Sequence, residues 1–147
     1  MDTQTMIFLN FNNIGMFRHP FFILLFVVLV AVSILHSLGL TLFWYGRFNF
    51  LDLITHFLGG FWISGIALWL FLVVFRYSTK KNRRTLLRVV LSTIICVGIG
   101  WEIFEFIIRD PLFFISNKEY AIDTALDLVV GIFGALSALW YFLWRRY

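Results

Sequence analysis

Polar and apolar residues are segregated into long blocks along this chain; they do not alternate at strand spacing or recur every three or four positions. The first block, Phe21 to Trp44, carries no formal charge, and at about 1.5 Å per residue it exceeds the roughly 30 Å hydrocarbon core of a bilayer. The second, Phe57 to Phe75, is also uncharged and extends back by about a turn towards Asp52. A third runs from about Leu86 to Ile108, where Asp110-Pro111 supplies a stop signal, and a fourth from about Tyr120 to Trp144. The pattern predicts an all-α polytopic membrane protein, an antiparallel bundle of four transmembrane helices at about 20–45, 52–77, 86–108 and 120–145. Residues 20–147 read as a single domain. Ahead of it, residues 1–19 mix Asn10, Asn12 and Asn13 with Phe8, Phe11 and Phe17, as expected of an interfacial segment.

Composition supports lipid as the main solvent. The 147 residues are 61% hydrophobic and 14% charged, against about 45–50% and about 25% in a soluble domain. The net charge of +4 raises the question of nucleic acid, and the placement of the bases answers it. Arg76, Lys80, Lys81, Arg83, Arg84 and Arg88 crowd between the second and third blocks, with Arg18, Arg145 and Arg146 on the same side; only Arg47, Arg109 and Lys118 fall on the other. These are topogenic charges, not a groove for nucleic acid, and the positive-inside rule places both termini in the cytoplasm. Cys96 stands alone within an apolar helix, which excludes an intrachain disulfide.

Against this background the ionisable residues inside the helices stand out. Helix two opens with Asp52 and His56, helix three closes with Glu102 and Glu105, and helix four opens with Asp123 and Asp127. Spacings of three or four put both members of each pair on one helical face, and the alternating topology puts all three pairs at the outer end of the bundle. Six unpartnered charges there would cost on the order of 10 kcal/mol, so they are expected to face one another, water or a cation. The same stripes continue into glycines: His56 towards Gly60 and Ser64, Asp127 towards Gly131 and Gly134, Glu102 back towards Gly98. Glycine allows close helix approach in membranes, which assigns these faces to the interior.

Five carboxylates and an imidazole suit one or two divalent cations, Mg²⁺, Mn²⁺, Ca²⁺ or Fe²⁺, with Zn²⁺ admitted through His56. The alternative is a proton-sharing and salt-bridge network, with Glu105 facing Arg109 and with Arg47 nearby. His36, in the outer half of helix one, either joins the cluster or is a neutral histidine bonded to a backbone or hydroxyl group. Thr55 and Thr124 are expected to cap helix starts. Trp62, Trp69 and Trp101 are expected to make packing or lipid contacts.

Asp52-x3-His56-Phe, Trp101-Glu102-x2-Glu105 and Tyr120-x2-Asp123-Thr-x2-Asp127-Leu, with Gly131 and Gly134, resemble the VanZ-like group of small bacterial membrane proteins, and within it the YjdF-type inner-membrane branch. The likeness covers about Asp52 to Leu139. It implies a role at the cell envelope, since the group's namesake is associated with reduced susceptibility to a glycopeptide antibiotic. The connection from Glu105 to Asp123 is shorter here than in the longer branch, so a recognition element at that place is not expected.

Three functions remain open. In the first, Asp52, His56, Glu102, Glu105, Asp123 and Asp127 hold metal at the outer leaflet. A metal-free carboxylate among Glu102, Glu105 and Asp127 then acts as general base on a lipid or lipid-linked envelope molecule. The second is proton or cation transport, which the near absence of ionisable groups in the cytoplasmic halves of helices two to four disfavours in a monomer; a homo-oligomer or larger membrane complex would supply a path between subunits. The third is a structural accessory subunit. No Walker-type loop, His-Glu-x2-His motif, paired cysteine site or Gly-x-Ser-x-Gly elbow is present.

Overall fold

The computed structural model describes residues 20–71, 83–108 and 117–144, with Asn49 and Asn117 described in their backbone alone. Four helices result: α1 Pro20–Thr41, α2 Asn49–Trp69, α3 Arg83–Ile108 and α4 Asn117–Trp144. All four are long and apolar enough to cross a membrane, and there is no strand among the described residues. The expected interfacial segment 1–19, the end of helix two near 77, the Glu105–Arg109 pair and the bases at 18, 76, 80, 81, 145 and 146 lie outside the described residues.

Sequence neighbours pack antiparallel, and the largest interface joins α2 to α4, which run parallel. Its closeness comes from glycine. A Cβ added at Gly60 would collide with the Gly131 carbonyl oxygen, and one at Gly134 with the Phe57 carbonyl oxygen. Backbone therefore meets backbone here, as small residues permit between membrane helices. Gly131 itself has room: its added Cβ would lie 3.6 Å from the Ile94 side chain. Beyond this seam Leu68, Leu86, Val90, Ile94, Ala135 and Leu139 fill the other half of the three-helix core. Helix α1 lies on the outside of that core, chiefly against α2. Aromatic rings hold its first turn: Phe21 stacks on Tyr141 with centroids 6.0 Å apart and meets Phe142 edge-on at 5.4 Å, and Phe22 lies 5.1 Å from Trp69.

The helix ends depart from the boundaries read in the sequence. Helix α1 stops at Thr41, short of 45, because its last turn closes in a Schellman motif. The Trp44 amide donates to the Gly39 carbonyl at 2.9 Å and the Phe43 amide to the Leu40 carbonyl at 3.4 Å. Phe43 takes the left-handed conformation that glycine usually occupies there (φ 56°). Helices α2 and α4 each begin three residues before the expected 52 and 120, and α3 three before 86. Thr55 and Thr124 consequently sit within helices and cap nothing. Thr55 donates instead to the Asp52 carbonyl at 2.8 Å, and the buried Thr124 hydroxyl has no hydrogen-bond partner.

Candidate functional site

The ends of α2, α3 and α4 that carry the ionisable pairs lie together, at the end of the bundle marked by the α1–α2 turn. His56 is the centre. Its Nε2 lies 3.6 Å from Asp52 Oδ1, one turn back on α2, and 3.8 Å from Asp127 Oδ2 across the glycine seam. Both separations exceed a direct hydrogen bond. One ligand atom from each of Asp52, His56 and Asp127 falls within a mutual 4.8 Å, and so does one from each of His56, Glu102 and Glu105. An ion with bonds of about 2.0–2.6 Å bridges spans of that size. Asp123 belongs to neither trio; it is exposed, one turn nearer the start of α4 than Asp127.

The carboxylates differ in their surroundings. Asp127 is 3% exposed, and its Oδ1 is buried with no hydrogen-bond partner. The cause is the seam: Gly131, one turn on, brings α4 so close to α2 that the side chain one turn earlier is sealed between them. Glu102 is also buried, whereas Glu105 is half-buried and accepts a 2.7 Å hydrogen bond from Trp101 Nε1. The Tyr120 hydroxyl donates to the Glu102 carbonyl oxygen at 3.3 Å, which ties the start of α4 to the end of α3.

Helix α1 reaches the same end through His36. Its Nδ1 lies 2.8 Å from the Tyr45 hydroxyl, and its ring meets Trp101 edge-on at 6.0 Å. The histidine thus has the hydroxyl partner expected of it, although it also borders the cluster. Tyr45 is placed by the turn: its ring lies where a side chain at position 39 would stand, so Gly39 is required for the contact. Burial, followed by the negative charge of Asp52 and Glu105, pushes the Tyr45 hydroxyl above its ordinary pKa. Trp101 and Tyr45 were not among the predicted polar participants. Trp101 stands four residues before Glu105, a spacing that brings an indole N–H to a carboxylate on one helix face; no local signal marks Tyr45.

Between α1 and the three-helix core lies a cavity of about 280 Å³. His36, His56, Glu102 and Asp127 line one end of it, and Leu29, Val32, Ile63 and Val97 continue it into the apolar interior. A shallower groove of about 370 Å³ runs between α3 and α4 and also reaches Glu102.

The sequence profile of the family described as predicted membrane protein DUF2238 matches residues 4–147. The chain belongs to that family, and with four candidate spans it is a multi-pass membrane protein. No curated protein and no solved structure matches it.

Proposed function

We propose that this protein resides in the bacterial inner membrane with both termini in the cytoplasm, and that its acidic and histidine cluster binds one divalent cation and acts on the polar head of a lipid or lipid-linked envelope molecule. The observation that carries the proposal is Asp127, a carboxylate 3% exposed, with Oδ1 unpartnered, beside His56 in a cavity open to further chemistry. A buried charge of this kind is destabilising unless a cation or donor meets it. The distribution of bases supports the orientation, and the resemblance to VanZ-like proteins supports the envelope.

His56 is common to both trios, so its imidazole would be a ligand whichever trio held the ion. Asp52 and Asp127 complete its grip, and Glu102 stands ready on the third helix. The oxygen-rich set suits Mg²⁺, Mn²⁺, Ca²⁺ or Fe²⁺, and the imidazole admits Zn²⁺. Such an ion supplies Lewis acidity towards a phosphoryl or carbonyl oxygen and lowers the pKa of bound water. Glu105, oriented by Trp101 and reachable from outside, is the general base. Asp123, at the exposed rim, draws cations in without holding them.

Transport is the weaker reading, because the core beyond the cluster is closed by Leu68, Leu86, Val90, Ile94 and Leu139. The test uses the full chain in nanodiscs, stripped with EDTA and titrated with Mn²⁺ under electron paramagnetic resonance. One bound ion per chain is expected, lost in an Asp52→Ala, Asp127→Ala double variant. Release of lipid headgroups into the aqueous phase should require the added ion and fail in Glu105→Gln. A wild-type chain that takes up none of these cations overturns the proposal.

A further inference from the structure

The cavity beside the cluster has features that cation binding does not use. On α1 it reaches from His36 down to Leu29, seven residues or about 10 Å along the helix, and beyond its polar end its walls are apolar except for Ser33. Among the glycines facing it, Gly60 and Gly98 are crowded by protein atoms that an added Cβ would strike, so packing accounts for them, and an added Cβ at Gly131 would reach ordinary contact with Ile94 at 3.6 Å. Gly59 does not fit that explanation. It lines the cavity, and an added Cβ there would meet nothing within 4 Å. Its lack of a side chain preserves space and serves no helix contact.

The cavity is also open sideways. Ser33 on α1 and Val97 and Trp101 on α3 all line it and are all exposed. The α1–α3 side is held at this end by the edge contact of His36 with Trp101, in contrast to the aromatic packing that fixes the other end of α1. In a membrane-spanning bundle such an opening faces hydrocarbon. The volume, about 280 Å³, falls just below the roughly 300–1,000 Å³ of pockets that enclose a drug-sized ligand. It admits part of one chain and has no room for a second.

We infer that the space between α1 and the three-helix core, kept open by Gly59, is a binding site for one hydrocarbon chain of a lipid phosphate, entered laterally between α1 and α3. The chain lies along Leu29, Val32 and Ile63, which brings its phosphate head to His56, Glu102 and Asp127. The inference rests on the cation reading above, because a phosphate approaches these carboxylates only when a cation bridges them. It narrows the substrate to a phosphate ester on a single chain, acyl or isoprenyl, or to a lipid whose second chain stays in the bilayer.

The test is photolabelling of the full chain in nanodiscs containing Mn²⁺. One arm uses a medium-chain lysophosphatidic acid with a diazirine at its chain terminus, the other an isoprenyl phosphate with the same group. Labels are expected on Leu29, Val32 and Ile63 in at least one arm, and the arm that labels identifies the chain. In Gly59→Leu this labelling should fall roughly tenfold, while Mn²⁺ binding persists. Gly100→Leu, at a glycine that also has open space but lines neither cavity, should leave labelling unchanged. Val32→Trp fills the same space from α1 and replaces Gly59→Leu if that variant does not fold. Labels spread evenly over lipid-facing Ile34 and Phe104, or indifferent to both filling variants, overturn the chain site even when Mn²⁺ binds. Patterned labelling in a chain that binds no Mn²⁺ overturns the cation reading and with it the phosphate assignment, and leaves only the hydrocarbon-chain site.

Discussion

At the α2–α4 seam two backbones touch across Gly60, Gly131 and Gly134, whereas along α1 the same core is met by side chains, with a cavity of about 280 Å³ left between. The seam is rigid because nothing in it can change rotamer. It seals Asp127 in place and fixes the distance to His56. The α1 flank meets the core through Phe21, Leu25 and Trp69 at one end and through the edge contact of His36 with Trp101 at the other, with the cavity between them. One interface sets the geometry of the charged groups and the other borders the cavity that leads to them. Each can be broken separately.

The largest effect is expected at the seam. Gly134→Ala and Gly60→Ala each drive a methyl group into backbone that cannot move aside, and should destabilise the protein by about 3 kcal/mol, the upper end for overpacking. Gly131→Ala, on the same face of α4, has space and should change stability by less than about 1 kcal/mol. Denaturant titration in micelles checks the contrast. Equal losses at positions 131 and 134 would show that the close approach is not where the structure puts it.

Asp127→Asn separates function from stability. Replacing a buried carboxylate that lacks a partner should leave metal-free protein more stable by about 1 kcal/mol, while Mn²⁺ affinity falls by more than the 10–100-fold typical of a supporting residue. The exposed Asp123→Asn should do neither. Trp101→Phe, which removes the donor to Glu105, should weaken turnover roughly tenfold without unfolding the protein. Should Asp127→Asn lower stability instead, the cluster is a structural tie and the accessory-subunit reading gains.

The next effect belongs to the α1 flank. Tyr45→Phe removes the partner of His36 Nδ1 and should lower stability by about 1 kcal/mol. Because burial raises the Tyr45 pKa in the folded state, the unfolded chain releases this proton first as pH rises. The tyrosine's contribution is therefore complete below about pH 10, the unfolded value, and declines as pH climbs from there through the folded value. In Tyr45→Phe that share of the alkaline decline should be missing from the pH dependence of unfolding.

Much of this arrangement was legible in the sequence. Uncharged blocks longer than the bilayer give the spans, and pairs at three- and four-residue spacing, placed by alternating topology, give a common end for six ionisable groups. The sequence could not rank the members of a pair. Asp123 and Asp127 share a stripe, but only the residue one turn before Gly131 is caught between the backbones. The cavity was illegible for a related reason: Gly59 and Gly60 are adjacent and identical in type, yet one faces a carbonyl and the other open space. Contacts between distant positions, such as His36 with Tyr45 and with Trp101, have no local signature.

The end of α1 was hidden by a single residue. Apolar character runs unbroken through Leu42, Phe43 and Trp44, and the position where a Schellman motif normally announces itself with glycine is held by Phe43, 82% exposed. A left-handed non-glycine residue costs roughly 1–2 kcal/mol, and glycine returns part of any gain through its freer unfolded state. Phe43→Gly should therefore raise stability by less than about 1 kcal/mol, the smallest effect foreseen. If the exposed ring anchors the α1–α2 turn at the membrane interface, as aromatic residues do, the gain measured in detergent should disappear in a bilayer. A gain of equal size in both would assign Phe43 no part in seating this end of the bundle, and would leave Gly39 and Tyr45 as the turn's contribution to the site.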